Sequence, residues 1–200
     1  MPITIIEITE RVKEIGWKYE LSEDQRAVIL HFGTEHHVAP DGEKHVFLII
    51  TVEVDGEFVE VTAPETYNLN ECKYKGATLA ALAELAFRTR GLQCQYNSEN
   101  GEVSYAVDAW LLDNTLTTRQ LDMMIRTVVD LMEEHESVIR NAMETGKVDF
   151  ELAIKREQRV PEEGQTAPLP PEIAELMVRA GGLDGLRQAL ELAERQKIPA

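Results

Sequence analysis

The sequence predicts an α+β fold with an antiparallel sheet, in the order helix, three strands, helix, two strands and long helix. Two capping boxes, each a threonine followed three residues later by Glu or Gln, open amphipathic runs at residues 4–15 and 118–144. The pair Asp55-Gly56 separates two apolar runs, which indicates a hairpin because both turn positions need positive φ. Helical and strand patterns thus alternate over residues 1–150, and a helical tail follows.

Apolar residues recur at helical spacing in the first helix and at strand spacing in the segments after it. Thr4 and Glu7 form the first capping box. The apolar face of this helix comprises Ile5, Ile8, Val12 and Ile15. Strand patterns rich in β-branched and aromatic residues follow at 27–32, at 46–54 and again from 58 to 61.

The strand at residues 46–54 is apolar on both faces in its first half. Its two faces carry Phe47 and Ile49 on one side and Val46, Leu48 and Ile50 on the other. Such a strand needs cover on both sides, from a helix on one and from more protein or another subunit on the other. The sheet therefore suggests a homodimer.

The central helix lies within Lys73–Gly91, where leucines recur at helical spacing and Gly91 stands where a left-handed cap belongs. Here a very acidic chain gathers positive charge at both ends of one helix. The candidate ligand-binding residues are the basic and aromatic side chains at these ends, with two second choices nearer the N-terminus. They are Arg88, Arg90, Lys73, Lys75, Tyr74, Arg11 and Trp17.

The start of the central helix attracts anions, because its first N–H groups are exposed and the macrodipole is positive there. Two lysines with an aromatic residue between them strengthen this attraction. The same residues also have an ordinary interpretation, since loop lysines are usually solvated and Arg88 can pair with Glu84 one turn earlier. The sequence alone leaves both interpretations open.

A second hairpin is predicted from residues 92–96 and 103–112. Trp110 falls on the face opposite to the apolar one, so a helix packs against it or it lies at an interface. The long helix at 118–144 follows, and His135 lies on its apolar stripe. A histidine in that position is more often a satisfied core residue than a metal ligand.

Charge and hydropathy exclude several classes of protein. Twenty basic against thirty-six acidic residues give a formal net charge of −16, which repels nucleic acid and anionic membranes. No basic N-terminal segment precedes a long apolar run, and no window reaches about 18 apolar residues. We therefore expect a cytoplasmic protein that contacts neither nucleic acid nor membrane directly.

Metal, redox and catalytic motifs are also missing from the sequence. Cys72 and Cys94 are the only cysteines and are expected to be reduced. The pair His36–His37 lies in a loop without thiol or carboxylate company, so we expect no metal and no cofactor. None of the common signatures of nucleophilic, phosphate-binding or zinc-hydrolase chemistry occurs, so we expect a protein that is not an enzyme.

The composition changes after the long helix. We predict an α+β domain over residues 1–150, a proline-rich linker over 151–170 and a helical tail over 171–200. Gly181 and Gly182 divide the tail into two helices with narrow apolar stripes. These stripes need a docking surface on the same domain, on a twin subunit or on a partner.

The element order over residues 1–150 resembles the type III secretion chaperone-like fold, which YbjN-type sensory regulator domains share. The resemblance implies a small acidic protein that dimerises and binds macromolecules without catalysis. The linker and tail depart from the secretion chaperones, which usually stop near the last helix.

In order and size the chain is also similar to the cyanobacterial cyclic di-GMP receptors. That resemblance implies that cyclic di-GMP binds at the dimer interface and that the signal passes to a transcription factor by protein contact.

Two functional hypotheses follow. In the first, the protein is a non-enzymatic homodimeric regulator that binds cyclic di-GMP at its basic residues and acts through a protein partner. In the second, it is a chaperone-like adaptor that binds a protein or peptide on an apolar sheet face without any small ligand. Substitution of Arg88 or Arg90 abolishes binding only in the first case, whereas a charge introduced at Trp110 abolishes binding only in the second.

Overall fold

The computed structural model describes residues 2–70, 72–112 and 115–154. The predicted linker from residue 155 onward and the whole predicted tail lie outside the described residues. The division of the chain into domain, linker and tail therefore stays a prediction.

The described residues form three α-helices and six β-strands. The helices are α1 (Ile5–Ile15), α2 (Lys75–Arg88) and α3 (Thr118–Thr145). The strands are β1 (Glu20–Leu21), β2 (Ala27–Gly33), β3 (His45–Glu53), β4 (Phe58–Asn68), β5 (Leu92–Tyr96) and β6 (Glu102–Trp110). They form one antiparallel sheet in the order β1-β2-β3-β4-β6-β5, which confirms the predicted α+β class. Two of the described strands differ from the prediction: the two-residue β1 was not predicted, and β4 continues to Asn68 beyond its predicted range of 58–61.

Both predicted capping boxes are present. The Thr4 hydroxyl accepts from the Glu7 N–H at 3.3 Å, and the Glu7 carboxylate accepts from the Thr4 N–H at 2.9 Å. Thr117 and Gln120 repeat this arrangement at the start of α3. Each box satisfies two groups that a helix start leaves unpaired, so both helices begin where the sequence predicts. None of the described helices is long and apolar enough to cross a membrane.

Two turns differ in detail from the prediction. The β3–β4 hairpin has positive φ at Val54 as well as at Asp55 and Gly56, so its turn is one residue wider than predicted. Gly91 also has positive φ but does not cap α2, because Thr89 ends that helix in an extended conformation. Gly91 instead forms the turn that leads into β5.

The two faces of the sheet differ in their cover. One face packs against the helices and supplies most of the core, with Val28, Leu30, Val46, Leu48, Ile50, Val59, Val61, Val103 and Tyr105. The opposite face, here called the open face, follows from the strand register. It carries Ala27, Ile29, His31, Phe47, Ile49, Thr51, Glu60, Thr62, Ala106 and Asp108. Its larger apolar side chains are half-buried and lie outside the core cluster, so no described helix covers this face.

Candidate functional site

The N-terminus of α2 combines two lysines with two aromatic rings. Lys73 Nζ lies 4.9 Å from the centroid of the Tyr74 ring, and Lys75 Nζ lies 4.9 Å from that of Tyr96. The Tyr74 ring also covers the end of α3, because a Cβ at Gly146 would lie 2.7 Å from it. Among the described residues, the N-cap Tyr74 makes no side-chain hydrogen bond to the start of α2. Positive charge and unpaired N–H groups therefore coincide here.

The two arginines at the other end of α2 differ from each other. Arg88 binds Glu84 one turn earlier, with its Nε at 2.9 Å and a terminal nitrogen at 2.6 Å from the same oxygen, and it lies over the Phe150 ring. Arg90 makes no hydrogen bond or ion pair within the described part of the chain. Because α2 has 14 residues, these arginines lie about 20 Å from the lysines at its start.

Arg11 and Trp17 lie on the α1 side of the molecule. Arg11 Nε donates to the Leu116 carbonyl at 2.6 Å, and its terminal nitrogens donate to the Glu7 carbonyl and the Thr115 hydroxyl. Trp17 packs edge-on against Phe32, with Arg126 over its ring. Arg11 therefore joins α1 to the start of α3.

In a single chain, the seven predicted ligand-binding residues form three separate groups. The lysines and Tyr74 share one end of α2, Arg88 and Arg90 share the other, and Arg11 and Trp17 lie elsewhere. A ligand that contacts several groups at once would need a second subunit. Ligand binding at these residues stays a prediction.

One polar cluster on α3 was not predicted. Glu133 accepts from the backbone N–H groups of Glu35 and His36 at 2.8 Å each. Three and seven residues further along α3, Glu136 accepts from His37 and Arg140 donates to the Val38 carbonyl. One stripe of α3 thus holds four successive residues of the β2–β3 connection. We call this arrangement the loop clamp.

At the centre of the loop clamp is a buried carboxylate with three donors. Glu136 accepts from His37 Nδ1 at 2.8 Å, from the Tyr67 hydroxyl at 2.7 Å and from Arg140 Nε at 2.6 Å. His37 is only 1% exposed. Burial alone would raise the pKa of Glu136, but these hydrogen bonds outweigh it and bring the pKa below its ordinary value. Burial is also the main reason why the pKa of Tyr67 is well above its ordinary value.

The two predicted thiols are free and half-buried. Burial raises the pKa of the Cys94 thiol to about 12, so this cysteine stays protonated at neutral pH. His36 and His37 do not act as a pair, since His36 is exposed and His37 is buried in the loop clamp. His135 is buried beside Phe150, with Nδ1 3.2 Å from the Leu131 carbonyl, which agrees with the predicted core role.

Trp110 lies at the end of β6, on the same face of the sheet as Phe58. Its side chain is 60% exposed and contacts Phe58 across the strand pair, with ring centroids 4.9 Å apart. The side chain is therefore not fully packed by a helix, and its place at an interface stays a prediction.

Comparisons with known proteins give few matches. No family model matches this sequence, and no curated protein does. One similar solved structure is YbjN. This crystal structure of a proposed transcription regulator from E. coli aligns with 67% of this chain and 92% of its own, at 10% identity and a TM-score of 0.46.

Proposed function

We propose that this protein is a non-enzymatic cytoplasmic regulator or adaptor that binds another protein on the open face of its sheet. The observation that carries the proposal is a group of half-buried apolar side chains, Ile29, Phe47 and Ile49, on the paired strands β2 and β3. Thr62 of β4 continues this group, and no described helix covers it. Apolar surface that remains in water is costly, and a contiguous patch of it marks an interaction surface.

The border of the open face indicates the chemistry of the partner. Glu60 and Asp108 are direct neighbours across β4 and β6, and Gln93 donates to the Asp108 carboxylate. The whole chain carries a net charge of −16. A partner with an apolar patch and basic residues around it therefore complements the open face in apolar character and in charge.

The test introduces a positive charge into the open face. Thr51 lies directly across from Glu60, so a lysine at this position has a carboxylate beside it and the sheet tolerates it. We expect Thr51→Lys to repel a basic partner and weaken its binding about tenfold or more. Proteins captured by the full chain are identified by mass spectrometry, and the purified partner is then titrated calorimetrically.

Ser137→Lys is the matched control, because Ser137 is exposed on α3, on the covered side of the sheet. The proposal requires a partner whose affinity falls for Thr51→Lys and not for Ser137→Lys. Equal affinity for the two variants, both folded by circular dichroism, would refute the open face as the binding surface.

A second candidate function is a homodimeric receptor that binds cyclic di-GMP and passes the signal to a transcription factor. The N-terminus of α2 favours it, since two lysines, two aromatic rings and an uncapped helix start suit a phosphate and a base. A two-fold ligand also suits a two-fold interface, where each half-site repeats. A dimer would bring a second set of the separated basic residues into reach.

A thermal melt against a panel of nucleotides tests the receptor function. A ligand that binds only the native protein adds about 2.7 kcal/mol at a hundred times its dissociation constant, which moves the Tm by several degrees. We expect cyclic di-GMP to give this shift and GTP not to, and Arg88→Ala and Arg90→Ala to abolish it. Unchanged melting with every nucleotide, together with a monomeric mass by light scattering, would reject this function.

A further inference from the structure

A groove lies where β6 ends beside the first half of α3. Its volume is about 370 Å³. Buried Val107, Leu111, Leu116 and Met124 form its floor. The walls are Trp110, which is 60% exposed, and Met123, which is 58% exposed. Such large apolar side chains facing one concavity are typical of a small-molecule site of this volume.

Strand register explains why the groove is open. The pairing of β5 with β6 begins at Leu92 opposite Val107, whereas β6 continues to Trp110 and pairs there with Phe58 of β4. Within the described chain, the last three residues of β6 therefore have no strand neighbour on the β5 side. β5 begins only at Leu92, and the residues before it, including Arg90 and Gly91, form the connection from α2 and are not part of a strand.

The charge of the groove differs from that of the chain. Its described lining includes one cation, Arg90, and no carboxylate, although the chain has thirty-six acidic residues. Arg90 has no ion-pair partner in the described chain, whereas Arg88, Arg126 and Arg140 each bind a carboxylate one turn away. The Arg90 guanidinium is therefore available to bind an anionic group of a ligand in the groove.

We propose that this groove binds a small organic monoanion with an apolar body, and that Arg90 binds the anionic group. The apolar body lies between Trp110 and Met123, over the buried floor. Thr115, Gln120 and Thr127 supply the other polar groups of the lining. The site takes one negative charge because Arg90 is the one cation in its described lining.

The test uses the full chain and the fluorescent probe anilinonaphthalene sulfonate, an aromatic monoanion. Trp17→Phe keeps the aromatic contact with Phe32 and leaves Trp110 as the only tryptophan. We expect the probe to bind, to quench Trp110 by energy transfer and to be displaced by octanoate but not by octylamine. Arg90→Gln should weaken binding about tenfold, the effect of losing one hydrogen bond to a charged group. Met123→Glu should weaken it at least as much.

Two matched variants control for charge and for exposed apolar area. Arg26→Gln removes an exposed arginine outside the groove, and Phe87→Glu removes an apolar side chain that is 90% exposed on α2. Both should bind the probe like the parent chain. The proposal is overturned if the parent does not bind, if these controls lose as much affinity as the groove variants, or if octylamine competes as well as octanoate. Binding that weakens as protein concentration rises would show a second copy of the chain in the groove and would overturn it too.

Discussion

The two halves of α3 present opposite kinds of surface to the chain packed beside them. In the C-terminal half, Glu133, Glu136 and Arg140 use their charged groups to hold the β2–β3 connection. In the N-terminal half, Met123 borders an open groove beside Arg90, which has no partner in the described residues. The charged side chains of the C-terminal half therefore have hydrogen-bond partners within the chain. The N-terminal half leaves apolar surface exposed at the groove.

This difference separates residues that stabilise the fold from residues available for binding. A buried charge that loses its partner is costly, so the loop clamp is tied to the stability of the fold. An exposed cation without a partner costs the fold little and remains free for a ligand. The predictions below test the stabilising half of the comparison, in decreasing order of expected effect.

The largest effect is expected for Glu136→Leu. This change leaves His37, Tyr67 and Arg140 without their shared acceptor in a buried site. Removal of one partner from such a cluster costs about 3–5 kcal/mol of the free energy of unfolding. Urea denaturation followed by circular dichroism measures it. Glu144→Leu, at an exposed position of the same helix, should change stability far less, and similar losses in the two variants would remove the distinction.

A smaller effect is expected from acid. The pKa of Glu136 is depressed in the folded state, so its contribution to stability is fully present above its ordinary value of 4.5 and is lost as the pH falls through the folded pKa. The difference in unfolding free energy between the parent chain and Glu136→Gln should therefore narrow below pH 4.5. Denaturation curves at neutral and acidic pH give this difference. If this difference in unfolding free energy became larger in acid, the pKa of Glu136 would not be lowered in the folded state.

The smallest effect is expected for Arg88→Gln. Arg88 and Glu84 form a half-exposed pair one turn apart, and such pairs contribute about 0.5 kcal/mol or less. Arg140→Gln removes an ion pair of the same spacing whose carboxylate, Glu136, is only 6% exposed. A hydrogen bond to a charged group contributes about 1.5–3 kcal/mol, and the partial exposure of Arg140 places this pair toward the lower end. Both variants are measured in the same urea series. A larger loss for Arg88→Gln than for Arg140→Gln would reverse the ranking.

Features of the fold that depend on near neighbours were predictable from the sequence. The capping boxes at Thr4 and Thr117 each involve residues three positions apart, and the alternation in β3 fixes which side chains face the helices. The loop clamp was not predictable, because nothing local marks Glu136 as the partner of His37. The distance between the lysines and the arginines of the candidate site was predictable, because the central helix of 14 residues separates them.

The loop clamp also has a consequence for synthesis on the ribosome. Its hydrogen bonds join residues that are 97 to 102 positions apart. At about 5–20 residues per second, the ribosome needs roughly 5–20 seconds to proceed from the loop to its hydrogen-bond partners on α3. During that interval His37 has no acceptor from α3, and the apolar residues that α3 will cover remain exposed. The nascent chain is therefore most prone to aggregation just before its long helix is complete.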